Sequence, residues 1–109
     1  VSTLVPVRDG GRRHLAAAWG GTAFNFGPNK ARLGMYVSSA VRFRDIVRTA
    51  GADVLIANHT NFDGTKAKLP ALAARRAGDP HPYVIGNDAV ARYLTVAHEC
   101  AQAALAAVP

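Results

Sequence analysis

The chain has 109 residues, half of them apolar, 18% charged and 7% aromatic, which allows one domain around one core and excludes a disordered or collagen-like polymer. Thirteen Lys and Arg against seven Asp and Glu leave a net charge of +6, but these cations are scattered with few aromatics among them, so no nucleic acid is expected as a partner. The apolar runs Leu15–Trp19, Val54–Ala57 and Ala103–Pro109 all fall well short of the ~20 residues that cross a bilayer, so no membrane span is expected either.

Ser2 to Val7 reads as a strand, Arg8-Asp9-Gly10-Gly11 as a tight turn, and Arg12 to Trp19 as the returning strand of a hairpin. Gly20-Gly21-Thr22 and Asn25-Phe26-Gly27-Pro28-Asn29 follow as an ordered loop rich in turn formers, of the kind that carries function at strand ends. An amphipathic helix is predicted from an N-cap at Ser38 or Ser39 to Ala50, with Phe43, Ile46, Val47 and Ala50 inward and Gly51 as its stop. Asp53-Val54-Leu55-Ile56-Ala57 is apolar on both alternating faces, the pattern of a strand covered on both sides.

Asp63 then caps a predicted helix running through Arg76, with Leu69, Leu72 and Ala73 inward and Gly78 closing it; Pro70 fits only its first turn or kinks it. A last helix starts at Asn87 or Asp88 and runs to about Val108, burying Val90, Leu94, Ala97, Ala101 and Leu105. The order strand, strand, helix, strand, helix, helix is that of one α/β (α+β) module with a mixed sheet. Neither an internal repeat nor a linker divides it.

His59 is the sharpest candidate for chemistry. It stands just past the end of a buried strand, where the sheet holds it at the rim, and it reads equally as a metal ligand or as a loop histidine bonded to a helix end. His14 is expected to be solvated, His81 structural within its Pro80–Pro82 loop, and His98 on the surface. No two histidines have HxH, HxxxH or HExxH spacing, and there is no CxxC or CxxH pair, so the chain holds no complete zinc set of its own. Gly20, Gly21 and Thr22 could offer backbone N–H groups and a hydroxyl to an anionic substrate group, or could simply make a tight strand exit. Cys100, the single cysteine, reads as a packed small hydrophobe.

Taken together, Val1–Val7, Leu15–Thr22, Phe43–Gly51, the stretch DVLIANH ending at His59, Phe62-Asp63-Gly64 and His81-Pro82-Tyr83 resemble the C-terminal half of metallo-β-lactamase-fold hydrolases, most nearly the third subclass of zinc β-lactamases. The resemblance implies that residues 1–109 form half of an αββα sandwich, with helices on one face of the sheet and the N-terminal half, or a second copy, on the other. It also implies two zinc ions per intact enzyme, with His59 as the one ligand this chain supplies, since the family's HxHxDH motif is not in this sequence.

Water activated by the zinc pair would open a β-lactam amide, with Gly20, Gly21, Thr22 and Asn25 lining the substrate groove. Thr22 keeps one of the hydroxyls that hold the substrate carboxylate in such enzymes; Gly20 lacks the other. A periplasmic or secreted setting follows from the resemblance, although no targeting segment is visible. The alternatives are hydrolysis of another ester, lactone or amide, or a non-catalytic half-domain that self-associates; the chain alone is expected to be inactive.

Overall fold

The computed structural model describes residues 1–109. The hairpin forms as the turn chemistry requires. Strand β1 (Thr3–Asp9) and strand β2 (Arg12–Trp19) pair antiparallel, with Asp9 opposite Arg12 across the two-residue turn Gly10-Gly11. Strand β3 (Val54–Ala57) lies parallel to β2, Ala16 opposite Val54 and Trp19 opposite Ala57. The result is a three-stranded mixed sheet of order β1-β2-β3 in an α+β chain.

Two long helices cover one face of this sheet. Helix α1 (Lys30–Ala50) and helix α4 (Asn87–Ala106) bring Ala40, Phe43, Val47, Val90 and Leu94 onto Ala17, Trp19 and Leu55. Trp19 is the centre of this layer, stacked on Phe43 with ring centroids 5.8 Å apart and edge-on to Tyr36 at 5.6 Å. Helix α1 begins eight or nine residues before the Ser38/Ser39 cap expected from sequence. Asn29 caps it instead, its side chain accepting the Arg32 N–H at 3.0 Å. The buried stripe runs through Leu33, Ala40, Phe43 and Val47; Phe43 and Val47 are inward as expected, whereas Ile46 and Ala50, expected inward, are exposed.

The helix expected from an Asp63 cap through Arg76 is one helix that ends earlier, at Ala73, and a short helix that was not expected precedes it. Helix α2 (Thr60–Asp63) ends and helix α3 (Thr65–Ala73) begins at Gly64, whose φ of 76° lies in the left-handed region that interrupts an α-helix. Pro70 sits inside α3 rather than in its first turn and denies it one backbone bond. Helix α3 buries no residue. Leu69 and Ala73, expected inward, are exposed, Leu72 is half-buried, and the third helix therefore adds nothing to the layer formed by α1 and α4. Helix α4 follows expectation, with Val90, Leu94 and Ala101 buried and Ala97 and Leu105 half-buried.

The opposite face of the sheet is partly covered by the chain itself. Ala16 and Val54 are buried on that face and share a hollow with His81, Tyr83 and Val84, while Val84 also bridges Val54 at the free edge of β3. What stays open is the β1 side, where Val5 and Val7 are 38% and 36% exposed. No helix is long and apolar enough to cross a membrane.

Candidate functional site at the sheet rim

Because β2 and β3 are parallel and end in register at Trp19 and Ala57, the segments that follow them leave the sheet at the same edge. Gly20–Thr22 and Asn58 are thereby brought together, and His59 follows Asn58 in the chain. Thr22 Oγ1 donates to Asn58 Oδ1 at 2.8 Å, and Asn58 Nδ2 donates to the Gly20 carbonyl at 3.4 Å.

His59 occupies the N-cap position of α2 in extended backbone, but its side chain makes no capping hydrogen bond. The ring is exposed, with only Phe62 beside it at 6.3 Å between centroids. Of the two readings open from sequence, a histidine bonded to a helix end is not what forms. Both ring nitrogens are free for a ligand.

The glycines are explained by packing. A Cβ on Gly20 would lie 2.3 Å from the Val1 carbonyl oxygen, and one on Gly21 would lie 2.7 Å from the Trp19 ring and 3.0 Å from Tyr36. The Tyr36 hydroxyl donates to the Gly21 carbonyl, so this turn is locked onto the aromatic core. Asn25 stands exposed in the connection to α1, hydrogen-bonded to neither His59 nor Thr22.

Beneath the rim lies a group that sequence reading saw only as a helix cap. Asp63 is 7% exposed. One carboxylate oxygen accepts the Ala57 N–H at 3.0 Å; the other accepts the Thr65 N–H at 3.0 Å and the Thr65 hydroxyl at 2.5 Å. Burial opposes its ionisation, but the Thr65 hydroxyl, the two amides and the nearby Lys68 charge outweigh burial and hold the carboxyl below its ordinary value. The Thr65 hydroxyl also meets the Tyr83 hydroxyl at 2.8 Å, and the Lys68 ammonium lies 5.1 Å over the Tyr83 ring. A single carboxylate thus ties the end of β3 to the start of α3 across His59.

At the other end of the sheet the fold builds a polar cluster that sequence reading missed. His14, expected to be solvated, is half-buried, with Nδ1 2.6 Å from Asp53 Oδ2. Asp53 Oδ1 accepts the Leu15 N–H at 3.1 Å. Arg75, expected at a helix end, grips Asp9 at the hairpin turn with two N–H···O bonds of 2.8 and 2.7 Å. His81 is structural in its loop, as expected, its Nδ1 accepting the Tyr83 N–H. His98, expected on the surface, is half-buried with Nδ1 3.3 Å from the Val37 carbonyl. Cys100 is exposed, not packed.

Burial disfavours the Asp53 carboxylate, yet the His14 hydrogen bond, the Leu15 amide and the histidine's charge together lower its pKa. A carboxyl whose pKa is lower folded than unfolded adds stability that is complete above the unfolded value, about 3.9, and is lost as pH falls through the folded value. Asp53→Asn is therefore expected to weaken the chain at pH 7 and to flatten the acid limb of its stability curve. Urea unfolding measured at intervals from about pH 2 to pH 6 checks this; an unchanged acid limb contradicts it.

Nowhere do three or more His, Cys, Asp or Glu side chains converge as a metal-binding group. His59 fits one coordination position and belongs to no group of three such side chains. No family model, curated protein or solved structure matches the chain. What the rim offers chemically is one uncommitted imidazole, a hydroxyl and a carboxamide, carried on rigid strand ends.

Proposed function

We propose that this chain is the C-terminal part of a zinc-dependent hydrolase of metallo-β-lactamase type, acting on a β-lactam amide, with His59 as one metal ligand. The observation that carries the reading is His59 itself: an exposed ring with both nitrogens free, held at the end of a strand that begins in the buried pair Val54-Leu55. A neutral imidazole in that position binds zinc through one nitrogen while the other donates to an acceptor. The remaining ligands come from an N-terminal half or a second copy, since the chain gathers no ligand group of its own.

Bound zinc supplies activated water at neutral pH and polarises the substrate carbonyl. The chain's own residues bind and orient. The Thr22 hydroxyl and the Asn58 amide, already paired at 2.8 Å, can turn to an anionic substrate group, and the Gly20-Gly21 backbone allows it close approach. A periplasmic or secreted setting accompanies this reading.

Zinc titration and hydrolysis test it together. The chain alone is expected to bind zinc weakly, with no change in His59→Ala. Mixed with a complementary polypeptide carrying HxHxDH, it is expected to take up zinc stoichiometrically and to open a chromogenic β-lactam, and His59→Ala is expected to lower that activity by about 100-fold or more. Tight zinc binding by the chain alone that disappears in His59→Ala contradicts the shared site, and full activity of the mixed variant contradicts the ligand role.

One observation favours a second reading, hydrolysis of another ester, lactone or amide. Gly20 has no hydroxyl, and the Val1 carbonyl, 2.3 Å from where a Cβ would stand, leaves no room for one. A lactone and ester panel run beside the β-lactam separates the two.

A further inference from the structure

The polar cluster at the end of the sheet away from His59 frames a cavity of about 540 Å³. Strand alternation begins it. Cross-strand partners share a face of an antiparallel pair, so the pairs Asp9–Arg12 and Val7–His14 place Arg12 and His14 on the face that α1 and α4 leave open. The connection from α3 to α4 brings Arg75, Asp79 and His81 to the same cavity. Val84 is the one hydrophobic residue of the ten that line it, so it suits a polar occupant.

The chain's own pairings set the charge of that occupant. Asp9 is held by two bonds from Arg75, and Asp79 accepts the Arg76 N–H at 3.0 Å with the Arg76 guanidinium 3.8 Å away. Both carboxylates are answered by arginine. Arg12 is exposed and forms no ion pair, because its cross-strand neighbour Asp9 is taken by Arg75. The two histidines keep one nitrogen each. His14 Nδ1 donates to Asp53, which only accepts, and His81 Nδ1 accepts the Tyr83 N–H, so both Nε2 atoms remain. The Arg75 hydrogen bonds, with the charges of Arg75, His81 and His14, hold the Asp9 carboxyl below its ordinary value against burial, so both rings lie within electrostatic reach of one carboxylate. Arg8 and Arg13 stand on the same hairpin end, and cations that lie apart in sequence thereby give this end a field that attracts anions.

We propose that the cavity binds a phosphoryl group, as inorganic phosphate or a phosphomonoester, through Arg12, His14 Nε2 and His81 Nε2. A guanidinium matches phosphate oxygens in pairs. Groups that approach from the hairpin turn, from β2 and from the α3–α4 connection meet the several oxygens of a tetrahedral anion, where a carboxylate has two. A neutral His14, its Nδ1 fixed by Asp53, also accepts the hydrogen of a P–OH group through Nε2; an ionised carboxylate has no such hydrogen. None of these residues belongs to the rim, so the site is independent of the zinc reading.

Calorimetric titration of the full chain at fixed ionic strength tests the site, with inorganic phosphate, glycerol 3-phosphate and acetate as probes. Phosphate is expected to bind once per chain with a Kd below about 1 mM, and acetate at least about tenfold more weakly. Glycerol 3-phosphate separates the two sources: tighter binding than phosphate assigns the site to an ester, equal or weaker binding to the free anion. Arg12→Gln, at a side chain with no ion pair to lose, is expected to weaken phosphate about tenfold. His14→Asn offers Asp53 an amide N–H in place of Nδ1 and removes Nε2, and is expected to weaken phosphate by a similar factor in the folded chain. Lys30→Gln, at an exposed cation where α1 begins beside the rim, is expected to leave the affinity unchanged. Absence of phosphate binding, acetate bound as tightly as phosphate, an affinity that either Arg12→Gln or His14→Asn leaves in place, or an equal loss in Lys30→Gln overturns the proposal.

Discussion

Asp63→Ala is expected to destabilise the chain by about 3 kcal/mol, enough to lower the melting temperature by roughly 10–20 °C in a domain of this size. Its carboxylate is the acceptor for the Ala57 and Thr65 N–H groups and for the Thr65 hydroxyl, and an alanine would leave these donors beside a void. A hydrogen bond to a charged group contributes more than a neutral one, and stranding a buried donor costs more than the bond's net worth. The loss also reaches the rim, because the two amides flank His59 in the chain and their common acceptor fixes the path between them. Asp63→Asn is expected to recover part of the stability, since the amide oxygen still accepts. Thermal unfolding of the three proteins checks the order. A change below about 0.5 kcal/mol for Asp63→Ala, the range of an ordinary surface substitution, contradicts it.

Leu94→Ala is expected to cost about 3–4 kcal/mol. Leu94 is 0% exposed and belongs to the cluster in which α4 meets Val47 and Phe43 of α1 and Leu55 of β3. Removing its branched end takes away burial and leaves a cavity among side chains that can collapse only partly. Leu69→Ala is the matched control, the same change in a helix that buries nothing, at a residue 52% exposed. It is expected to shift stability by less than about 0.5 kcal/mol. Urea unfolding of both variants measures the contrast; equal losses would mean that α3 is packed into the core after all.

That contrast marks where sequence pattern stops being informative. Leu69, Leu72 and Ala73 have the spacing of a buried stripe as clearly as Val90 and Leu94 do. Periodicity tells which face of a helix could be buried, and the neighbours decide whether it is. Helix α3 follows a left-handed glycine and a carboxylate anchored to β3, and these set its direction away from the layer that α1 and α4 share. Helix α1 shows the reverse case. Gly34, Met35, Tyr36 and the two serines blur its first half, and the Asn29 cap together with packing on Trp19 keeps that half helical.

The sequence by itself determined the local features. Gly10-Gly11 between alternating strands specifies the hairpin and its register, the apolar run after Asp53 specifies a covered strand, and Val90, Leu94 and Ala101 specify the buried side of the last helix. It also determined that a histidine stands at the end of that strand. Each depends on residues a few positions apart, where backbone geometry leaves few choices. Only the tertiary structure decided what depends on distant pairs. His14 meets Asp53 across 39 positions because β3 adds to β2 in parallel, Thr22 meets Asn58 across 36 for the same reason, and the α3–α4 connection must reach the hairpin before His14 and His81 share a cavity. Such pairings follow from strand register and helix packing, which are set by the burial of the whole core and leave no mark on the short-range spacing of residues.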